Sequence, residues 1–471
     1  MTLTRRATTF VVAALGALIG GAVVGIVTRQ ATHGDSRWAL IVVVVAGSAA
    51  LGMVALTRFF GFVVALLTIR SSVDGILRDA SIGSLSVSEA VGVVFLVASA
   101  VWLISAWKAG ALHPLSALSK AAVVLAASGL LSAPLSVSAS HAWPGALKLI
   151  ALATMVVVCE QLCWEHPGRV RWLLAACFAS TIVPCVVAIG QFFGTRFSDP
   201  TISVGRINAS FLHPNALATY AGIIVAVGVA VRNQLPTVAA RWGARLASGA
   251  ALGLLFFSYA RAAWFGCVLA VVFLGIVAER RLLVAIAAAL SAVVLFVPSF
   301  LSRLQDLESD QVLRHVPTNS LTWRFGYWPE ALAAARGRAV FGIGLEALQA
   351  VTPEKLEPHN TLLQVYVELG LVGVVAALAV GICVLGLFRR ILRTPPANPL
   401  ARAAAMGTIA ATLGVGAQLI SENLLTAVAS LWHLMALLGW LAAVDARRRS
   451  GSPAEAVSDR AERIVALAVG R

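Results

Sequence analysis

Residues 357–388 read EPHNTLLQVYVELGLVGVVAALAVGICVLGLF, and they join two unlike kinds of chain without a break. From Thr361 onward the run is apolar and longer than the roughly 20 residues that a helix needs to cross the hydrocarbon of a bilayer. Immediately before it stand a carboxylate, a proline, an imidazole and an amide, Glu357 to Asn360, which close a long hydrophilic segment that opens near residue 298. A polar segment that feeds straight into a spanning helix leaves its last side chains at the membrane boundary. Chemistry on a membrane-bound substrate belongs there.

Outward from this stretch the chain is apolar almost throughout. Of its 471 residues 59% are hydrophobic and 12% charged, and the mean hydropathy is +0.89. A soluble domain carries about 25% charged residues, so a soluble fold is excluded. Runs of spanning length recur along the chain, and the Gly and Pro inside them suit helices better than barrel strands. The expected fold is an all-α polytopic membrane protein with roughly 12 to 14 transmembrane helices of about 20 residues each. Residues 1–297 read as transmembrane helices with short loops, 298–360 as a large loop with interfacial helices, 361–445 as further transmembrane helices and 446–471 as a tail.

The net charge of +15 invites a nucleic-acid reading, but the arginines are scattered through short loops and form no single basic face. Alternate loops carry them, among others Arg232, Arg241 and Arg245, then Arg280 and Arg281, then Arg389, Arg390, Arg393 and Arg402. This is the positive-inside pattern; it puts both termini in the cytoplasm and the large loop outside, with no nucleic-acid partner. The first apolar run, behind Arg5 and Arg6, lacks a small-residue cleavage site and reads as a retained helix. All six cysteines fall in or at the ends of expected helices, where they serve as small packing residues.

Against that pattern a few basic and polar residues stand on the outward side. Arg206 opens the segment RINASFLHPN, in which Pro214 bars a helix from running through it and Asn215 is a suitable N-cap for a span beginning at Ala216. His213 shares that turn. Arg261, in SYARAAW, joins two spans with almost no loop and so sits at the boundary, a costly place for a guanidinium unless it meets a polar cavity or an anion. Arg324 lies in WRFGYWPEALAAA, an aromatic turn followed by an amphipathic helix, within reach of a sugar or phosphate. His359 stands at the positive end of the helix beyond Asn360, where protonation is disfavoured and a neutral base is kept available. Gln364 and Glu368 follow four residues apart on one face, and a carboxylate so deep is expected to hold an arginine in place. Arg70, Asp74, Arg78 and Asp79 are expected to pair at a boundary; Asp306, Glu308 and Asp310 read as solvated charges, not a metal cluster.

Taken together these pieces resemble the O-antigen ligase and polymerase superfamily. The resemblance rests on Arg206 with Phe211 to Asn215, Ser258 with Arg261, Arg324 with Trp328, Gly342 with Gly344, and His359, Asn360, Glu368, Gly370 and Gly373. It implies a multi-helix glycosyltransferase of the GT-C type in the bacterial inner membrane, with a periplasmic active site. Its donor would be a glycan on undecaprenyl diphosphate, and its acceptor a hydroxyl of the lipid A–core oligosaccharide. On this chain Arg206 and Arg261 would hold the diphosphate and His359 would take the acceptor's proton. Arg324, His213, Asn215, Asn360 and Glu368 would support them. Arginine supplies fixed positive charge without a metal, so an inverting reaction with no metal and no cofactor is the natural form.

Three rivals remain at this level. A polymerase would extend the lipid-linked glycan and often shows R-x10-G motifs in outward loops, whereas Arg232 with Gly243 falls in a loop read as cytoplasmic. A protein O-glycosylating transferase usually carries a longer carboxyl-terminal region than the short tail after Arg449. A transporter or flippase would show repeats between its halves, which this chain lacks.

Overall fold

A computed structural model describes residues 58–76, 81–82, 85–193, 206–296, 312–313, 316–317, 320–353 and 355–450. The first apolar run behind Arg5 and Arg6, Arg78, Asp79 and the acids Asp306, Glu308 and Asp310 lie outside these residues.

Helices α1 (Phe59–Ile76) and α2 (Val87–Lys108) flank a two-residue ladder in which β1 (Ser81–Ile82) pairs antiparallel with β2 (Leu85–Ser86). Then come α3 (Ala117–Ser132), α4 (Ala139–Trp164), α5 (Val170–Ala179), α6 (Ile182–Phe193), α7 (Pro214–Val231), α8 (Val238–Phe257), α9 (Arg261–Val277) and α10 (Arg281–Phe296). A second small ladder, β3 (Val312–Leu313) with β4 (Val316–Pro317), precedes α11 (Ser320–Ala334) and α12 (Leu348–Val351). The chain ends in α13 (Thr361–Arg393), α14 (Pro399–Gln418) and α15 (Val428–Arg449). Among the described residues 8 helical spans are long and apolar enough to cross a membrane, and three shorter helices are apolar as well. The protein is an all-α polytopic membrane protein.

One apolar run of spanning length, residues 171–193, is two helices. It breaks at Ser180 and Thr181, whose hydroxyls turn back onto the carbonyls of Cys177 (2.8 Å) and Phe178 (2.7 Å). Pro184 has no N–H to give the Ser180 carbonyl, and the Ser71 hydroxyl of α1 donates to it instead, at 2.7 Å. Lost helical pairing becomes a tie between helices.

Lipid tails are as apolar as leucine, so helices in a membrane gain by close approach more than by burial. The α4–α15 contact follows this rule: a Cβ on Gly439 would lie 2.3 Å from the Val156 carbonyl oxygen. Gly266 of α9 faces Gly414 of α14 in the same way, at 2.3 Å. α15 is buried along nearly its whole length, with Trp432 and Trp440 fully enclosed, and it forms the axis on which the other helices pack.

Buried charges away from the candidate site are paired. Glu160 accepts from the Ser116 amide and hydroxyl, each at 2.7 Å, and from Ser119, at the N-terminus of α3. Arg70 pairs with Asp74 as expected and donates to Ser88 at 2.9 Å. At the arginine-rich end of the bundle Arg390 meets Asp445 at 2.9 Å, and Arg447 donates to the terminal carbonyls of Trp164 and Glu165.

Candidate active site

The opposite end of the bundle is built around a break in α13. Gly370 has φ 64° and ψ −161°, a conformation essentially confined to glycine, and it divides the helix. Four helical groups are released there and re-paired with the segment before α12. The amides of Leu371 and Val372 donate to the carbonyls of Ala339 (2.8 Å) and Val340 (3.2 Å); the carbonyls of Val367 and Glu368 accept from Ile343 and Gly344, both at 3.0 Å. Chain and broken helix lie so close that a Cβ on Gly342 would fall 2.3 Å from the Glu368 carbonyl carbon, and one on Gly370 would fall 2.4 Å from the Val340 oxygen. Gly342, Gly344 and Gly370, named in the sequence only as parts of the family resemblance, are thus three parts of one joint.

This joint sets the start of α13. Asn360 is its N-cap, its side chain accepting from the Leu363 amide at 3.1 Å. The loop from α14 to α15 is fastened to the same turn: Thr361 donates its amide to Leu419 (2.8 Å) and its hydroxyl to the Glu422 carbonyl (2.5 Å), and Asn423 accepts from the Asn360 amide (3.2 Å). On the other side α11 presents Trp323 and Tyr327, one turn apart, and Trp328 beside them. Tyr327 and Trp328 donate to the carbonyls of Leu356 (2.7 Å) and Pro358 (2.9 Å), and the Trp323 ring meets His359 edge-on with centroids 5.9 Å apart. The aromatic stretch expected to be a turn is helical throughout, with Pro329 inside it. Its rings clamp the His359 segment.

Glu422 is the centre on which the parts converge. Its two carboxylate oxygens accept from Asn215 Nδ2 at 2.9 and 2.8 Å, and one of them lies 4.0 Å from His359 Nδ1. Asn215 in turn accepts from Arg206 Nη2 at 2.6 Å, and Arg206 Nε donates to the Ser258 carbonyl at 2.7 Å. His213, not Asn215, caps α7: its Nδ1 accepts from the Asn215 amide at 3.1 Å, and Pro214 occupies the first helical position, where its missing N–H costs nothing. The side-chain amide of Asn215 is thereby released for Arg206 and Glu422. Arg261 begins α9 three residues beyond Ser258, at the same end of the bundle.

Backbone strain gathers here too. Ala209, Tyr259 and His359, with φ of 49°, 53° and 47°, are three of the five described non-glycine residues in the left-handed region. They flank Arg206, precede Arg261 and carry the imidazole. Such strain persists only where surrounding contacts over-determine it.

The electrostatics are those of a cationic site lined by neutral imidazoles. Burial and then the neighbouring Arg324 and His213 hold His359 down at about 3, and burial with Arg206 holds His213 at about 4. Helix polarity was the expected reason for a neutral His359; burial is the larger one. His359 Nδ1 is buried without a hydrogen-bond partner, yet the side chain is 29% exposed, so the accessible edge of the ring is the Nε2 side. Burial raises Glu422, opposed by Arg324, Asn215 and Arg206.

Residues 246–378 match a family model described as O-antigen ligase. Over that segment the chain is similar to the O-antigen ligase family. No curated protein matches the chain. Within the matched segment lie Ser258, Arg261, Arg324, the Gly342–Gly344–Gly370 joint, His359, Asn360 and Glu368. Arg206, His213 and Asn215 precede it and Glu422 follows it, so the cluster is completed by elements on both sides.

Glu368 does not join that cluster. Gln364 donates to it at 3.0 Å and the Glu346 backbone meets its carboxylate, where an arginine was expected, and Glu357 lies nearby. Glu422 was missed in the sequence; the signal available was a lone carboxylate in the four residues SENL between two spans.

Proposed function

We propose that this chain is an O-antigen ligase of the GT-C type in the bacterial inner membrane, transferring a glycan from undecaprenyl diphosphate to a hydroxyl of the lipid A–core oligosaccharide. The observation that carries the reading is a neutral, partly accessible imidazole set beside Arg206, Arg324 and Glu422 at the end of the bundle opposite the arginine-rich one. The arginine-rich end faces the cytoplasm by the positive-inside rule, so the imidazole faces the periplasm.

In this reading Arg206, Arg261 and Arg324 offer charge-assisted hydrogen bonds to the diphosphate. The acceptor oxygen attacks the anomeric carbon, the bond from that carbon to the diphosphate oxygen breaks with its electron pair leaving on the phosphate, and the configuration inverts. The acceptor's proton passes to His359 Nε2, while Glu422 faces Nδ1 and stabilises the imidazolium that forms. Fixed arginine charge stabilises the leaving group without a metal.

The test is transfer from undecaprenyl-diphosphate glycan to purified rough lipopolysaccharide by the protein in detergent with a chelator present. Wild type should transfer, and His359→Ala and Arg261→Ala, checked for folding, should not. Elongation of the lipid-linked glycan with the core left untouched would replace the ligase by a polymerase. Loss of wild-type transfer on chelation would remove the metal-free mechanism.

A further inference from the structure

At the arginine-rich end of the bundle several guanidinium groups are held by the protein itself. Arg232 pairs with Glu279 and donates to the Val229 carbonyl, Arg390 and Arg449 share Asp445, and Arg447 holds the end of α4. Arg171 and Arg241 are not held in this way: among the described residues neither side chain has a hydrogen bond or an ion pair. Of the described arginines at this end, Arg241 alone has a buried nitrogen, Nε, with no acceptor. A buried donor left unmet is costly, and it calls for one.

The helices that carry these two arginines start at the same end and pack together. α5 begins beside α15, since the Pro167 carbonyl just before it accepts from Trp440 Nε1 at 3.0 Å. Further along, α5, α7 and α8 meet at one point, where a Cβ on Gly228 would collide with Ser248 and come within 3.3 Å of the Phe178 ring. Arg171 precedes Phe178 by seven residues, and Arg241 precedes Ser248 by seven. Seven residues are about two turns, or roughly 10 Å, and return to nearly the same face of a helix. Side chains on a helix also lean towards its N-terminus, here towards the arginine-rich end. Both guanidinium groups therefore open on one seam, that between α5 and α8.

The surroundings are those of a bilayer boundary. Arg171 lies over the Trp172 ring at 5.8 Å, and Arg245, which donates to Asn233, lies over the Trp242 ring at 5.0 Å. Both indoles are exposed, as are Val238 and Leu246 one turn to either side of Trp242. Tryptophan settles at the depth of the lipid headgroups. A soluble anion or a nucleic acid would meet the arginines but gain nothing from these apolar side chains. A ligand that carries phosphate and hydrocarbon together satisfies both, and an anionic phospholipid is of that kind.

We propose that Arg171 and Arg241, flanked by Trp172, Trp242 and Arg245, bind the phosphate of an anionic phospholipid in the leaflet at the arginine-rich end. A guanidinium takes phosphate oxygens in pairs, so Arg241 Nε gains its acceptor, and the indoles pack along the acyl chains. The site is independent of the glycan-transfer reading.

The full-length protein, delipidated in a neutral detergent, is titrated with phosphatidylglycerol, phosphatidylcholine or inorganic phosphate. Native mass spectrometry counts the bound lipid and thermal melting follows stability, comparing wild type with Arg171→Gln, Arg241→Gln and Arg280→Gln. Arg280 is an exposed arginine at the same end, between α9 and α10, away from the seam. Wild type should retain phosphatidylglycerol in preference to phosphatidylcholine and melt higher with it. Arg171→Gln and Arg241→Gln should each weaken that retention about fivefold, the contribution of one basic side chain at an anionic surface, and Arg280→Gln should match wild type. Should Arg241→Gln fail to fold, Arg171→Gln, at an exposed position, carries the test. Equal retention of the two lipids, unchanged retention in the folded seam variants, or an equal loss in Arg280→Gln overturns the proposal. So does inorganic phosphate that raises the melting temperature as much as phosphatidylglycerol, which would make this a soluble-anion site.

Discussion

An imidazole held at about 3 is a weak base, because proton transfer is most efficient when the base titrates near the working pH. The proposed substrate supplies the correction. One negative charge about 5 Å away, at an effective dielectric near 20, is worth roughly 3 kcal/mol, or about two pKa units, and a diphosphate brings more than one charge. His359 is therefore expected to titrate near 3 in the free enzyme and near neutrality once the donor is bound. Since kcat/KM reports the free enzyme and kcat the complex, the acid limb of kcat should lie at higher pH than that of kcat/KM. The limb is a loss as pH falls, because the base must be unprotonated. Coincident limbs would mean that the donor charge is not felt at His359. Glu357, pushed up to about 7 by burial and by Glu346, titrates in the same window, so the profile is to be repeated in Glu357→Gln. Replacing His359 by Ala should lower kcat by about 10² to 10⁴. Glu422→Gln keeps the shape but loses a charge-assisted bond, and a fall of about 10 to 10² in kcat is expected from roughly 1.5–3 kcal/mol. A Glu422→Gln enzyme with wild-type kcat would show that this carboxylate is a spectator.

At the scale of the element, the site depends on a helix that is interrupted on purpose. Gly370→Ala would force an alanine into a glycine-only conformation, at a cost of about 1–3 kcal/mol, and place its Cβ against the Val340 carbonyl. Gly381 lies further along the same helix, in regular conformation with open space around it, and Ala there should be neutral or mildly stabilising. Thermal melting of the two variants in detergent separates the cases: a marked fall for Gly370→Ala alone is expected, and equal melting would mean that the joint relaxes freely. The glycine spacing was legible in the sequence, but its meaning was not, since each glycine answers to a segment about 30 residues away. The N-cap of α7 went the same way. Asn215 is as good a cap as His213 by residue type, and only the presence of Arg206 and Glu422, brought up by the fold, claims its amide for another use.

Over the whole molecule, hydropathy predicted nearly every described helix, because length and apolarity are local properties that the bilayer itself selects. The charge pattern supplies the orientation on which the proposed function depends. That orientation can be measured directly. Lys355 lies exposed four residues before His359, and Arg280 lies exposed between α9 and α10 at the arginine-rich end. Lys355→Cys should react with a membrane-impermeant maleimide applied to spheroplasts, whereas Arg280→Cys should react only after permeabilisation. Four of the six native cysteines are buried and the other two are partly buried within α6 and α13, so wild type provides a low background. Labelling of Arg280→Cys but not Lys355→Cys in sealed spheroplasts would invert the protein. It would place His359 on the cytoplasmic side, away from any periplasmic acceptor, and the ligase reading would fail whatever the geometry of the site.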